Sequence, residues 1–187
     1  MNKNLDIALL EDCKRGDRQA LDSLVRRYER QVFNVAFRML GNPDLAADVT
    51  QTTFLKAFEH LNSFNQDKKF FSWIYRIAIN ESINQIKRRS QLQPLGETQL
   101  EQTRDTSTRS PDELVESRRI CDEVQAVLLE LHEDHRAVIM LRHFLECNYR
   151  QIGEILQTPE KTVKSRLFSA RRRMRDLMQQ RARLLHD

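Results

Sequence analysis

The sequence has few of the residues that interrupt helices: it contains four glycines and four prolines in 187 residues. They fall between segments in which apolar side chains recur every three or four positions, and no segment alternates convincingly like a half-buried strand. No apolar run is long enough to cross a bilayer and the chain does not start with a signal-peptide pattern. These absences predict an all-α, cytoplasmic protein with no direct membrane insertion.

Residue patterns that mark enzymes are also missing. We find no nucleophile motif, no phosphate-binding glycine loop and no paired carboxylates, so we expect neither catalysis nor a cofactor. The three cysteines form no CxxC pair, which gives no indication of a disulfide framework. His143 and Cys147 are four positions apart, with His132 and His135 nearby, but this spacing matches no familiar metal site and favours structural roles.

Charge is distributed unevenly along a chain whose net charge is only +4. The segment from Gln157 to Asp187 is strongly basic, which favours a polyanionic partner at that end. The segment from Gln91 to Pro111 is polar, acidic and nearly free of large apolar side chains, so it predicts a flexible linker. We therefore divide the chain into an N-terminal helical domain at 1–90, a linker at 91–111 and a C-terminal domain at 112–187.

Helical periodicity predicts four helices before the linker and two directly after it. Gly16 and the Gly41-Asn42-Pro43 turn separate the first three. The predicted ranges are 6–15, 19–40, 44–61, 70–89, 112–131 and 133–144.

Residues 148–174 have the pattern of a helix-turn-helix. Asn148 and Gln151 can form a capping box on a first helix. After an interruption at Gln157, Thr158 can cap a second helix, with Pro159 at its first position. Val163, Leu167, Ala170 and Met174 form the inner stripe of that helix. Its outer side is basic and rich in hydroxyls, which suits a DNA major groove and its phosphates; the competing interpretation is a solvated basic helix. The outer residues are Lys161, Lys164, Ser165, Phe168, Ser169, Arg171, Arg172 and Arg175.

The fourth predicted helix carries a polar stripe on a largely apolar body. The stripe consists of Arg76, Asn80, Asn84 and Lys87, and the loop before the helix adds amides, a hydroxyl, Phe64, Lys68 and Lys69. Aromatic rings can stack on unpaired bases, while amides read base edges and cations hold the backbone. From the residues alone, a core helix with a basic end is at least as good an interpretation.

Four stretches occur in the order found in small bacterial sigma factors of the extracytoplasmic-function type, which the chain resembles over about residues 20–177. They are DVTQTTFLKAF at 48–58, FSWIYRIAIN at 71–80, YRQIGEIL at 149–156 and TVKSRLFSAR at 162–171. The resemblance implies a promoter-specificity subunit of RNA polymerase that acts on dedicated promoters, in a stress or envelope response. It also implies two partners, core polymerase and promoter DNA, and an anti-sigma factor that could hold the chain at the inner membrane.

The resemblance also assigns roles to residues. Asp48, Gln51 and Leu55 correspond to the face that docks on the polymerase clamp. The loop at 62–69 and the segment 73–80 correspond to the part that captures a flipped base of the minus-ten element, and the linker to the segment that threads toward the polymerase active site. The expected melted-strand residues are Phe64, Lys68, Lys69, Trp73, Arg76, Asn80, Asn84 and Lys87. Those expected at the minus-thirty-five element are Lys161, Thr162, Lys164, Ser165, Phe168, Ser169, Arg171 and Arg172.

Two departures from the family pattern have physical consequences. Gln157 stands at the turn where a small residue is common, and a positive φ there would cost on the order of 1 kcal/mol. Ser169 stands where many relatives have arginine, which leaves the promoter sequence open. A free-standing helix-turn-helix regulator remains the alternative function: it would bind duplex DNA by itself, whereas a sigma factor would need core polymerase.

Overall fold

The computed structural model describes residues 3–65, 68–92 and 111–184, and in these ranges it contains eight α-helices, a short 3-10 helix at Leu61–Ser63 and no strand. The predicted all-α class is therefore confirmed. The helices are α1 (Lys3–Lys14), α2 (Arg18–Leu40), α3 (Pro43–Glu59), α4 (Phe70–Leu92), α5 (Pro111–Glu130), α6 (Glu133–His143), α7 (Tyr149–Leu156) and α8 (Glu160–Leu184).

Helices α1–α4 form the front domain. The long helix α2 lies at its centre and contacts α1, α3 and α4. Asp6 attaches α1 to α2: its carboxylate accepts a hydrogen bond of 2.7 Å from the Tyr28 hydroxyl and pairs with Arg27 at 2.8 Å. Burial, together with this carboxylate, raises the pKa of Tyr28 above its ordinary value, so the hydroxyl remains a donor.

The turn between α2 and α3 forms as its residue types predict. Gly41 ends α2 in the left-handed region at φ 69°, which glycine adopts without steric cost. The Asn42 side chain caps α3 by accepting from the amide of Leu45 at 2.9 Å, and Pro43 is the first helical residue. A Cβ at residue 41 would also meet the side chain of Leu129, which would have to shift.

Helices α5–α8 form the tail domain, which includes the helix-turn-helix. Asn148 and Gln151 make the predicted capping box at α7, through two hydrogen bonds of 2.9 and 2.8 Å. Gln157 ends α7 at φ 50°, the left-handed conformation considered from the sequence. A Cβ at Gly153 would lie 2.7 Å from the carbonyl oxygen of Thr158, so only glycine allows the chain to turn back this closely.

The predicted start of the second helix was wrong by one residue. Helix α8 begins at Glu160, and the carbonyl of Pro159 accepts its first helical hydrogen bond, from Val163. Pro159 is thus in the cap position, and Thr158 lies outside the helix. The Thr158 hydroxyl donates to the carbonyl of Leu156 at 3.0 Å.

The two domains pack against each other. Helix α7 lies on α4, and both α5 and α6 contact α2. Most of the predicted linker, residues 93–110, lies outside the described residues, and α4 extends to Leu92, slightly past the predicted boundary.

Candidate nucleic-acid interface

The outer face of α8 is the clearest candidate surface. All eight residues expected at the upstream element are exposed, including Phe168, whose ring is 72% accessible. On the opposite side Val163, Leu167 and Ala170 are buried, as predicted. An exposed aromatic ring among cations and hydroxyls has no stabilising role in the core, and it is suited to contact base edges or thymine methyl groups in a major groove.

Tyr149 contacts two cations at one end of this face. The Lys164 ammonium lies 5.5 Å from the centre of the Tyr149 ring, and the Arg142 guanidinium lies 5.4 Å from it. Lys164 also pairs with Glu160 at 3.0 Å, one turn earlier in α8. Sequence analysis missed this role of Tyr149, because the contact joins α7 to α8 and no spacing within either helix reveals it.

His143 contacts a second cation of this face, the guanidinium of Arg171. The Nε2 atom of His143 lies 3.3 Å from Nε and 3.2 Å from Nη2 of Arg171, within hydrogen-bonding distance when the imidazole is neutral and accepts at that nitrogen. Partial burial, followed by the charges of Arg171 and Arg142, lowers the pKa of His143 below its ordinary value of 6.5. At neutral pH the imidazole is therefore uncharged.

The polar stripe of α4 is only partly accessible. Asn80, Asn84 and Lys87 are exposed, whereas Arg76 is half-buried. The Nη2 atom of Arg76 donates a hydrogen bond of 2.8 Å to the carbonyl oxygen of Glu154 in α7. Three polar side chains of the stripe are therefore exposed to solvent, and the fourth is bound to the tail domain.

Phe64, one of the residues expected at the melted strand, lies in the core of the front domain. The side chain is 6% exposed and packs edge-on against Phe70, with ring centres 5.7 Å apart. Trp73 is half-buried and lies 5.0 Å from the Phe64 ring. Phe64 is a core residue here because the loop folds its only aromatic ring inward, where burial removes apolar surface from water.

The loop before α4 presents its lysines to solvent. Lys68 and Lys69 are both exposed, and the Lys69 ammonium lies 5.7 Å from the centre of the Phe71 ring. Gln66 and Asp67, which belong to the same predicted loop, lie outside the described residues.

A separate exposed face is present on α3. Asp48, Gln51 and Leu55 are all exposed, and Leu55 is 57% accessible. Their three- and four-residue spacing places them on one side of the helix. Leu55 lies one turn after Gln51, so the face combines an acid, an amide and one large apolar side chain, all in solvent.

The histidine and cysteine group does not assemble into a metal site. Cys147 is buried, which raises the pKa of its thiol to about 11, whereas His143 is exposed and contacts Arg171. In the described ranges no three or more His, Cys, Asp or Glu side chains are grouped to hold a metal. No helix in the same ranges is long and apolar enough to cross a membrane.

Both halves of the chain match known protein families. Sigma-70 region 2 matches residues 24–91, and Sigma-70 region 4 matches residues 121–174. The chain is 31% identical over 174 residues to the ECF RNA polymerase sigma factor SigW of Bacillus subtilis, covering 89% of this chain and 92% of that protein. It is 32% identical over 178 residues to the RNA polymerase sigma-H factor of Pseudomonas aeruginosa, covering 91% and 92% respectively.

Two solved structures have the same fold. One is CnrH in complex with the cytosolic domain of CnrY, with a TM-score of 0.69, 22% identity and coverage of 94% of this chain and 97% of that one. The other is the sigma factor RpoE in complex with the anti-sigma factor NepR from Bartonella quintana, with a TM-score of 0.67, 20% identity and coverage of 84% and 96%.

The chain belongs to the extracytoplasmic-function (ECF) family of RNA polymerase sigma factors. It is therefore a promoter-specificity subunit that binds core RNA polymerase and directs initiation at promoter DNA, and it is not an enzyme. The alternative of a free-standing regulator is not favoured, because both sigma regions are present in order.

Proposed function

We propose that the three exposed faces divide the work of a sigma factor among them. The face of α3 docks on core polymerase, the stripe of α4 with its preceding loop holds the melted minus-ten strand, and the outer face of α8 reads the minus-thirty-five element. The proposed units are residues 1–90, a linker at 91–111 and residues 112–187. The observation that carries this proposal is the complete exposure of the α8 face opposite its buried stripe.

Docking through α3 rests on an exposed face whose side chains lie outside the core. Replacing Asp48 and Gln51 by Ala together should weaken binding to core polymerase, because two polar contacts to the partner are lost while the buried side of α3 is unchanged. The experiment is a pull-down of core enzyme followed by transcription from promoter fragments. Asp22→Ala, which removes an exposed acid from α2, is the control.

The docking assignment fails if the double variant retains as much core polymerase as the parent chain. Circular dichroism of the free variant separates this outcome from unfolding. Neither the parent chain alone nor core polymerase alone should initiate at specific promoters, because each lacks what the other supplies.

Strand capture rests on the exposed amides and cations of α4 and its loop. We assign it to Lys68, Lys69, Asn80, Asn84 and Lys87, with Trp73 and Arg76 becoming available only on rearrangement, and we leave out Phe64. A base that leaves the stack costs a few kcal/mol, which stacking and hydrogen bonds in a pocket can offset.

Asn80→Ala should therefore lower open-complex formation on duplex promoter DNA, and the defect should shrink on a template already mismatched around the start site. Permanganate footprinting of unpaired thymines measures both. Gln19→Ala, an exposed amide removed from α2, is the control. Equal opening by parent and variant, or an equal defect on both templates, would leave Asn80 as ordinary surface.

We also propose that the chain acts in the cytoplasm, where core polymerase and the chromosome are. The solved relatives in complexes, CnrH with the cytosolic domain of CnrY and RpoE with an anti-sigma factor, support an anti-sigma partner for this chain, through which it could be held at the inner membrane. Co-purification of the tagged chain from its native host tests this, and recovery of polymerase alone would count against it.

A further inference from the structure

Two cations of the exposed α8 face, Lys164 and Arg171, have partners of different chemistry. Lys164 pairs with Glu160 at 3.0 Å, so a carboxylate partly neutralises its charge. Within the part of the chain that the structure describes, the only hydrogen-bond partner of the Arg171 side chain is the imidazole of His143. A neutral ring can orient a guanidinium without cancelling its charge, so Arg171 keeps its full charge for a ligand.

The imidazole contacts one particular side of the guanidinium. Nε and Nη2 of Arg171 lie on the same edge of the planar group, at 3.3 and 3.2 Å from Nε2 of His143. For Nε2 to accept, the ring proton must be on Nδ1. The end of the group, formed by Nη1 and the outer N–H of Nη2, remains free in an exposed side chain. Two parallel N–H groups at this end match two oxygens of a phosphate.

The backbone that carries the imidazole is held firmly against α8. His143 is the last residue of α6, which packs along α8, and Met140 and Leu141 just before it are buried. The Arg142 side chain donates a hydrogen bond of 3.0 Å to the carbonyl oxygen of Cys147 and so closes the turn that follows. The core of the tail domain therefore fixes the position from which His143 reaches α8.

The neighbours of Arg171 within α8 cannot hold its side chain in place. Arg175 lies one turn later and has the same charge, and like charges at this spacing repel. Leu167 lies one turn earlier and is buried, so it offers no acceptor. A free arginine side chain has many rotamers and loses this freedom when it binds a ligand, whereas a side chain that is already oriented loses less.

The place of Arg171 along α8 favours a phosphate as its ligand. In a helix-turn-helix the first residues of the recognition helix reach the base edges. Helix α8 begins at Glu160, so Lys164 is in its second turn. Arg171 lies seven residues later, about 10 Å further along the axis, where the helix leaves the bases and meets the DNA backbone.

We propose that His143 is a positioning residue for promoter binding, which holds the Arg171 guanidinium so that its free end faces a phosphate of the minus-thirty-five element. In this proposal His143 does not touch DNA and acts only through Arg171. The inference rests on the proposed DNA-binding function of α8, although His143 itself lies on a different helix.

The test uses the full chain in complex with core polymerase and a labelled duplex fragment on which the parent complex initiates. Fluorescence anisotropy gives the dissociation constant over a range of salt concentrations, in the cold before the strands separate, and at pH 8, where the imidazole is neutral. The variants are His143→Ala, Arg171→Ala and the two combined. His143→Gln supplies a neutral acceptor, and Arg183→Ala, an exposed arginine near the end of α8, is the control. Thermal unfolding verifies that each variant folds.

Arg171→Ala should weaken binding about tenfold and reduce the salt slope by about one unit, because a charged contact to phosphate is lost. His143→Ala should weaken binding about threefold and leave the salt slope unchanged, because the arginine charge remains and only its orientation is lost. His143→Gln should bind nearly as well as the parent chain. In the combined variant the loss of His143 should have no further effect beyond that of Arg171→Ala.

The outcomes separate this inference from the proposed function. Unchanged binding by Arg171→Ala would overturn the phosphate contact itself. A loss with Arg171→Ala but parent-like binding by His143→Ala would leave the α8 face in place and overturn the positioning role. That role is also overturned if His143→Ala has the same effect with and without Arg171, or if His143→Gln binds no better than His143→Ala.

Discussion

Helices α8 and α4 have similar residue types on their polar sides but different surroundings. Helix α8 buries only its inner stripe, so every residue of its proposed DNA face is exposed, although Lys164 contacts Tyr149 and Arg171 contacts His143. Helix α4 contacts α2 and α3 on one side and α7 on another, and the aromatic rings at its start pack into the core. The number of helices packed around an element, more than its own pattern, decides which polar and aromatic side chains remain available to a ligand.

Two phenylalanines provide the strongest test of this comparison. Phe64→Ala should destabilise the chain by about 3–5 kcal/mol, because it removes a buried ring and leaves a cavity. Phe168→Ala should change stability by less than about 0.5 kcal/mol, since the ring is in solvent, but should weaken promoter recognition. Urea unfolding and promoter binding with core polymerase measure the two effects. Equal stability of the two variants would contradict the assignment of Phe64 to the core.

The cations of α8 should separate base reading from phosphate binding. We expect Lys164→Ala or Arg171→Ala to cost about 1–3 kcal/mol with relaxed sequence preference if a base contact is lost. Loss of a phosphate contact should instead weaken all sequences alike and reduce the salt slope by about one unit. Binding of the holoenzyme over a range of salt concentrations distinguishes these outcomes, with Arg183→Ala as the control. Unchanged preference and unchanged salt dependence in both variants would remove α8 from DNA.

A substitution in the turn of the helix-turn-helix should have a smaller effect, and it should stabilise the protein. Gln157→Gly should stabilise the tail domain by about 1 kcal/mol, because glycine adopts the observed φ of 50° without the steric cost that glutamine has. Thermal or urea unfolding measures it. Gln179→Gly, in the C-terminal part of α8 where the backbone is helical, should instead destabilise by about the same amount. A loss of stability at 157 would show that the glutamine side chain has a role of its own.

The contact of His143 with Arg171 predicts the smallest effect, a dependence on pH. The folded state holds the pKa of His143 below 6.5, so the unfolded chain binds the proton first as the pH falls. Stability should therefore be unaffected above about pH 7 and should decrease through the range below 6.5. The stability of the His143→Gln variant, measured by thermal unfolding, should decrease less over this range. His135, whose pKa is also lowered, contributes equally to both proteins. Identical pH profiles would contradict this.

Local features of the site could be read from the sequence because they depend on residues near one another in the chain. The capping box of Asn148 and Gln151, the turn at Gly41, and the inner and outer sides of α8 all follow from side-chain chemistry over a few positions. The all-α class follows from the same periodicity. Helix ends were predicted less well. Helix α8 starts one residue later than expected, because a hydroxyl and a proline next to each other allow two cap positions, while α3 ends at Glu59 and not at residue 61, and α4 continues to Leu92.

The remaining features depend on contacts between distant segments. Phe64 and Phe168 are both aromatic residues among polar neighbours, and only the packing of the loop on Phe70 and Trp73 distinguishes them. The need for glycine at position 153 arises from the carbonyl of Thr158, which the turn brings back beside it. The contacts of Arg76 and Arg136 cross from one domain to the other, and no short-range pattern encodes them.

The hydrogen bonds across the domain boundary end mainly on main-chain oxygens near helix C-termini, those of Phe37, Arg38, Met39 and Glu154. Such oxygens can accept a further hydrogen bond from water, so separating the two domains leaves no acceptor buried without a partner. A substitution that changes the side chain of one of these acceptor residues leaves its main-chain carbonyl in place. The sensitivity of these contacts to substitution is therefore one-sided. It lies in the donor side chains, those of Arg38, Arg76, Gln125 and Arg136. Phe37, Met39 and Glu154 contribute only main-chain oxygens, so a substitution at these three positions removes no hydrogen bond across the boundary.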